Sequence, residues 1–377
     1  MKKVLGILIA VMLMASSFAG FSVSATEVLP GGFVVDGTVL VWYEGSGGDI
    51  VVPDGITEIG VRAFADNQTI MSVVIPHGVS IIEVMAFSNC QKMKSVIIPS
   101  SVDVIRYSAF NGCSSLVSVD IPNGVEVIEN WAFEDCASLT SVTISKSVTS
   151  IESGVFMGCI SLKKIDVSSD NEQYCSVDGI VFSKDKTILV QYPVGITDSE
   201  YDIPDGVKEI GGGAFGSCPS LVKVGVPDSV EKISWVAFWH CSSLRTINIP
   251  DSVTYIEIFA FFGCKELEFL YIPSSVEQIS NGEHFGWLDE EHVFHKDTVL
   301  IVDKGGYAQE WAISNRNPYV LSSILSFDNV VDVYELLKLI TYEVPLSEAQ
   351  ITAADVSGDS KVNCIDALAI LKYVVNK

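Results

Sequence analysis

Hydrophobic positions recur along most of the chain with a period of 23. Pro53, Pro76, Pro99 and Pro122 are spaced by that interval, and Ser145 continues the series. Pro204, Pro227, Pro250 and Pro273 resume it after a break. Ala63-Phe64, Ala86-Phe87, Ala109-Phe110, Ala132-Phe133 and Val155-Phe156 keep the same spacing, as do Ala214-Phe215, Ala237-Phe238 and Ala260-Phe261. One unit, Leu116 to Ser138, predicts a short strand with Leu116, Val119 and Ile121 inward and Val117, Ser118 and Asp120 outward. Pro122 ends the strand because it brings no N–H to a ladder. Val125 and Ile128 turn inward again, and Ala132 and Phe133 fill the core. No single unit can bury this face, but units stacked about 4.8 Å apart can.

The beat is broken once. Ser145 and Pro204 are 59 residues apart, which is not a multiple of 23. Inside the break, "YCSVDGIVFSKDKTILVQYP" predicts a hairpin insertion near 170–203: strand, Lys184-Asp185-Lys186 turn, strand. Phe33 to Pro53 has a similar texture and is expected to cap the N-terminal end. Near 280–320 the repeat is lost. A strand followed by a helix over Tyr307 to Ser314 is expected to cover the last open face.

These units resemble the 23-residue leucine-rich repeat of the bacterial surface antigen (BspA-like) family over roughly residues 30–320. The resemblance implies an α/β-type repeat solenoid, right-handed and curved, with a parallel sheet on one face. It also implies recognition of protein or surface ligands, with no catalytic residues to transfer.

Composition changes this picture little. The 377 residues are 48% hydrophobic, and the formal net charge of −24 excludes a basic footprint for nucleic acid or anionic lipid. Lys2 and Lys3, the apolar run Val4 to Met14, and Val23-Ser24-Ala25 ahead of Thr26 read as a secretory signal peptide over residues 1–25. A solenoid over 26–320 and a small module over 321–377 complete the expected organisation.

Nine cysteines in a secreted chain suggest disulfides. Their spacing does not. Cys90, Cys113, Cys136, Cys159, Cys218, Cys241 and Cys264 occupy one repeat position, where a small buried side chain is wanted. Gly211 to Gly216 fits G-x-G-x-x-G, but lacks the helical crossover and ribose carboxylate of a dinucleotide site. His284, His292 and His295 lie among acids without a zinc-ligand spacing, and read as a solvated loop. One surface feature goes further. Trp235 falls in register with Ile258, Val236 with Phe259, and Trp239 with Phe262, while Trp131 lies on the same edge further back. Phe269 and Tyr271 add aromatic area on the strand face. An exposed aromatic strip of this kind is a candidate platform for a sugar or protein.

The C-terminal segment carries metal chemistry. With Asp355 at loop position 1, Ser357 stands at 3, Asp359 at 5, the Lys361 carbonyl at 7, Asn363 at 9 and Asp366 at 12. These are EF-hand offsets, with aspartate at the last place. Three carboxylates brought together repel without a cation, so binding and folding should be coupled.

The loop and the helix pattern after it resemble the dockerin module of cellulosomes, over roughly residues 320–377. A second half lies 34 residues upstream, where Asn329, Asp332, Leu337 and Lys338 match Asn363, Asp366, Leu371 and Lys372. The resemblance implies a small all-α, EF-hand-like domain. It implies cohesin contacts at Cys364, Ile365, Leu371 and Lys372, and at Val330, Val331, Leu337 and Lys338. Leu321, Ser323 and Leu325 offer the first loop no charged oxygen, so one calcium ion is expected, in the second loop. The expected function is a secreted, non-catalytic component of a polysaccharide-degrading assembly. Its repeats would bind a protein or glycan ligand, and its tail a cohesin domain of a scaffold. The alternative is a free-standing adhesin with a calcium-stabilised cap. A polysaccharide hydrolase is a third, weaker reading.

Overall fold

The computed structural model describes residues 26–280, 293–294, 298–303, 305–315 and 317–321. Each 23-residue unit makes one coil of a solenoid with two parallel ladders and a turn side. The first ladder joins strands of two to five residues; Ser118–Ile121, Ser141–Ile144 and Lys164–Val167 pair in unshifted register. The second joins two-residue strands, such as Val104–Ile105, Val127–Ile128 and Ser150–Ile151. The expected single sheet is therefore two, separated by the proline bend.

The inward pattern read from Leu116 to Ser138 holds: Leu116, Val119, Ile121, Val125, Ile128, Ala132 and Phe133 are all buried, and Val117 is exposed. Phe64, Phe87, Phe110 and Phe133 stack in one column with centroids 4.7 to 5.1 Å apart, and Phe156 follows at 5.7 Å. Such columns hold the coils in phase, because each ring fits only against its neighbours above and below.

The expected α/β character is corrected. Among the described residues the coils contain no helix; the outer side is a run of tight turns. The residue just before each Ala-Phe or Val-Phe pair has a left-handed backbone: Arg62, Met85, Ser108, Trp131, Gly154, Gly213, Val236 and Phe259 all have φ between 51° and 71°. A left-handed residue stops a right-handed helix after one turn. In exchange, the turn side gains its own ladder between coils. The Phe64 N–H donates to the Ala86 carbonyl (2.8 Å), Phe87 to Ala109 (2.7 Å) and Phe110 to Ala132 (2.7 Å). All three walls of the coil are thus hydrogen-bonded to the next, which satisfies the buried backbone.

Seven cysteines form a further buried column, and none is in a disulfide. Six of the thiols point at a phenylalanine carbonyl of the preceding coil, as with Cys113 Sγ on the Phe87 oxygen (3.2 Å) and Cys136 Sγ on Phe110 (3.3 Å).

The break is also corrected. It is a three-stranded antiparallel meander, Tyr174–Val177, Ile180–Ser183 and Ile188–Gln191, rather than one hairpin. The missed turn is Asp178-Gly179, where both residues have positive φ (52° and 83°), as a tight two-residue hairpin turn requires. The chain start has the same architecture: Glu27–Leu29, Phe33–Asp36 and Val39–Tyr43 form a meander whose last strand pairs in parallel with the first coil. Tyr43 heads the first phenylalanine column (5.3 Å from Phe64), and Tyr192 heads the second (5.1 Å from Phe215). The insertion thus restarts the array. Its strands join the two-residue ladder, while Gly179 and Ser176 accept from Ile165 and Val167 of the first ladder (2.9 and 3.1 Å). On the turn side the coils close up directly, with the Gly154 N–H donating to the Gly212 carbonyl (3.1 Å).

At the far end Phe294 continues the second column (5.9 Å from Phe261), and Trp311 meets it edge-on. The helix forms over Tyr307–Ser314 as expected and buries Ala308, Trp311 and Ala312. Residues 1–25 and 322–377 lie outside the described residues, and so do His284, His292 and His295. So do Asp355, Ser357, Asp359, Lys361, Asn363 and Asp366, with Val330, Val331, Leu337, Lys338, Cys364, Ile365, Leu371 and Lys372. The all-α module expected over 321–377 falls in that segment.

Candidate functional site

Where the two halves of the array meet, the turn side opens into a cleft of about 400 Å³. Its construction follows from the repeat. Each Phe of the column and the Ala (or Val) before it point inward; the two residues before the pair and the one after it face the turn surface. Every residue lining the cleft occupies one of these three positions in its coil.

The side walls are aromatic. Trp131 comes from the coil before the junction coils and Trp235 from the coil after them. Their rings touch, with centroids 5.2 Å apart and planes at 49°. Tyr107 meets Trp131 edge-on (5.2 Å, 72°), and Phe259 meets Trp239 likewise (5.5 Å, 87°). Trp239 in turn stacks on Phe262 (4.8 Å, 27°).

The floor is made of residues that lack side chains. The two coils between the tryptophans carry Ser153-Gly154 and Gly212-Gly213 where their neighbours carry large groups. A Cβ on Gly154 would stand 2.6 Å from the Trp131 ring, and one on Gly213 would stand 2.6 Å from the Gly154 backbone. The Gly211–Gly216 run is therefore a packing device that lets two indoles close over two bare coils. The Trp131 Nε1 lies buried over Gly154.

The one carboxylate in the lining is Glu134. Its Oε2 accepts from Asn111 Nδ2 (2.6 Å). Burial is the main cause that raises its pKa to about 7, and the charge of Asp135 adds to it. No ion pair reaches Glu134 among the described residues, and no lysine, arginine or histidine lines the cleft. Burial first, and then the Glu134 charge, also raise the Tyr107 phenol above its ordinary range.

The expected platform residues divide. Trp131, Trp235, Trp239 and Phe259 share this cleft, and Phe262 backs Trp239. They form a half-buried wall rather than an exposed strip: Phe259 is only 4% exposed and Val236 3%. The reason is that successive turns pack against one another, with Val236, Ile258 and Phe259 clustered beneath Trp235, Trp239 and Phe262. Phe269 and Tyr271 stand elsewhere, on the strand Phe269–Ile272 of the other ladder. Tyr271 is 39% exposed, with its hydroxyl 3.4 Å from Asp303 Oδ2. Sequence reasoning missed Tyr107, Asn111, Glu134, Met85 and Met157. The signal was present, since all five flank the phenylalanine pairs at the outward positions. Among the described residues no group of acids, histidines and cysteines is placed to hold a metal ion.

This architecture defines a β-solenoid protein with an aromatic-walled cleft on its turn side. The profile of the BspA type leucine rich repeat region matches six copies over residues 46–187 and 197–299, and the chain belongs to that family. Among solved structures it is similar to a leucine-rich repeat protein from Eubacterium ventriosum, with 24% identity, a TM-score of 0.53, and 75% of this chain and 79% of that one covered. It is also similar to the pneumococcal vaccine antigen PcpA, with 22% identity, a TM-score of 0.51, and 78% and 96% covered. Both likenesses concern the fold. A search of curated proteins finds no match.

Proposed function

We propose that this chain is a secreted, non-catalytic recognition protein that holds a protein or glycan ligand in the aromatic cleft of its solenoid. The observation that carries this reading is the meeting of Trp131 and Trp235 over a glycine floor, with Tyr107 and Phe259 as further walls. Aromatic walls supply large contact area at low entropic cost, and polar groups at the rim fix orientation. The turns presenting them are fixed by ladders between coils, so the cleft is preformed and binding costs little ordering.

The attachment half of the proposal rests on the sequence. Asp355, Asp359, Asn363 and Asp366, with Ser357 and the Lys361 carbonyl, offer a hard cation its oxygen ligands. One calcium ion there would order the C-terminal helix, whose Leu371 and Lys372, with Cys364 and Ile365, would face a cohesin domain. The upstream half would present Val330, Val331, Leu337 and Lys338. The ligand reading is tested by probing glycan and protein arrays with the full chain and its Trp235→Ala variant. Hits that survive the substitution would place recognition outside the cleft. Pull-down against cohesins with and without chelator tests attachment. Absence of calcium-dependent capture would leave the free-standing surface adhesin as the better reading.

A further inference from the structure

We infer that the cleft walled by Tyr107, Trp131, Trp235 and Trp239 is a cage for an alkylammonium group, with Glu134 as its counter-charge. This rests on the reading of the cleft as the recognition site, and names the chemistry it takes.

The geometry separates a cage from a platform. A sugar ring stacks on a flat aromatic face. Here the rings stand at steep angles to one another: 72° for Tyr107 on Trp131, 49° for Trp131 on Trp235 and 87° for Trp239 on Phe259. Rings set at such angles border the one cleft from different directions, and aromatic faces attract a cation lacking a tight hydration shell. Met85 and Met157 complete the lining with polarizable sulfur.

The electrostatics point the same way. Glu134 is the one acid in the lining, no basic side chain stands beside it, and no ion pair neutralises it among the described residues. The carboxylate held by Asn111 thus lacks a positive partner, while the whole chain carries a formal charge of −24. An ammonium group in the cleft supplies that partner. Alkyl substituents on nitrogen suit the indole faces, and the charge suits the carboxylate. A neutral ligand would favour the protonated Glu134, whereas a cation favours its carboxylate.

Two titratable groups face Glu134: Asp135 on its own turn and Tyr107 from the preceding coil. Both are acids, so neither can replace the cation. Glu134 ionises near pH 7, and ammonium affinity should rise as it does.

The test is a titration of the full chain with tetramethylammonium, following the indole N–H signals of Trp131 and Trp235 by NMR. tert-Butanol, of similar size and shape, is the neutral control. n-Butylammonium, an analogue of the lysine side chain, separates a protein-borne amine from a methylated small molecule. At pH 8 tetramethylammonium should bind at least about fivefold tighter than tert-butanol. Its affinity should gain up to about tenfold between pH 6 and pH 8, as Glu134 ionises. Glu134→Gln, which keeps the shape of the cleft, should abolish that gain. Equal binding of the neutral control, or an affinity independent of pH, overturns the cage. If cellobiose shifts the two indoles and neither ammonium does, the cage falls and the cleft remains the recognition site. If no probe shifts them while the chain still binds array ligands, both readings fall.

Discussion

The indole of Trp131 lies against the indole of Trp235, with ring centroids 5.2 Å apart. Three coil steps separate their backbones, through Ser153, Gly154, Gly212 and Gly213. Three steps of a parallel stack span about 14 Å. Both rings lean inward over the coils between them, and only glycine and serine on those turns leave the space.

Gly213 should therefore tolerate little. It combines a positive φ of 71° with a close approach to Gly154, whereas Gly206 has φ of 92° and nothing within 4 Å of an added Cβ. Gly206→Ala should cost about 1 kcal/mol through backbone strain alone. Gly213→Ala should cost about 1–3 kcal/mol more by displacing the Gly154 turn. Urea denaturation of the two variants measures the difference; equal costs would mean that the junction gives way freely.

The phenylalanine column should carry more stability than any surface contact. Phe133 is fully buried between Phe110 and Phe156, so Phe133→Ala should cost about 3–5 kcal/mol. Arg106→Ala removes a partly exposed pair with Glu129 (2.6 Å) and should cost under about 1 kcal/mol. Denaturation midpoints of the two variants give the ranking, and a Phe133→Ala midpoint close to that of the parent would refute it.

Glu134 should make the native state less stable as pH rises. Its folded pKa is raised to about 7 from 4.5. Between those values the native state holds a proton that the unfolded chain has released. The stabilisation is fully present below pH 4.5 and lost as pH climbs through 7, to a total on the order of 3 kcal/mol. Glu134→Gln should flatten this part of the stability–pH curve, and an unchanged slope would assign it to other groups.

The cysteine column should be chemically silent. Burial raises the Cys90 thiol to about 12 and the Cys113 thiol well above its usual range. Thiolate is the reactive form, so labelling of native protein at pH 8 should reach the part-exposed Cys175 far faster than the seven column thiols. Denatured protein should release all nine. Fast native labelling of the column, or fewer than nine thiols after unfolding, would contradict it.

Calcium titration should find one ion per chain, lost in Asp366→Ala. Calorimetry gives the stoichiometry, and two ions would mean that the upstream loop also binds.

What the sequence determined by itself is whatever repeats. The 23-residue spacing set the coil, the inward face, the phenylalanine column and the buried cysteines, because a residue in one coil meets its own counterpart in the next. The helix Tyr307–Ser314 was legible from a local pattern. The turns that replace the expected helices were not, because the left-handed residue before each phenylalanine pair varies from Arg62 to Trp131 to Val236. Nor was the cleft. The interruption hid which coils are neighbours, so nothing in the period placed Trp131 beside Trp235 or marked Glu134 as the one acid of their cavity. Only the tertiary structure decided that, through a meander that joins the two ladders while the turns on either side of it bond directly to one another. Contacts within the repeat are encoded once and copied, whereas a contact across a break depends on how both halves pack around it.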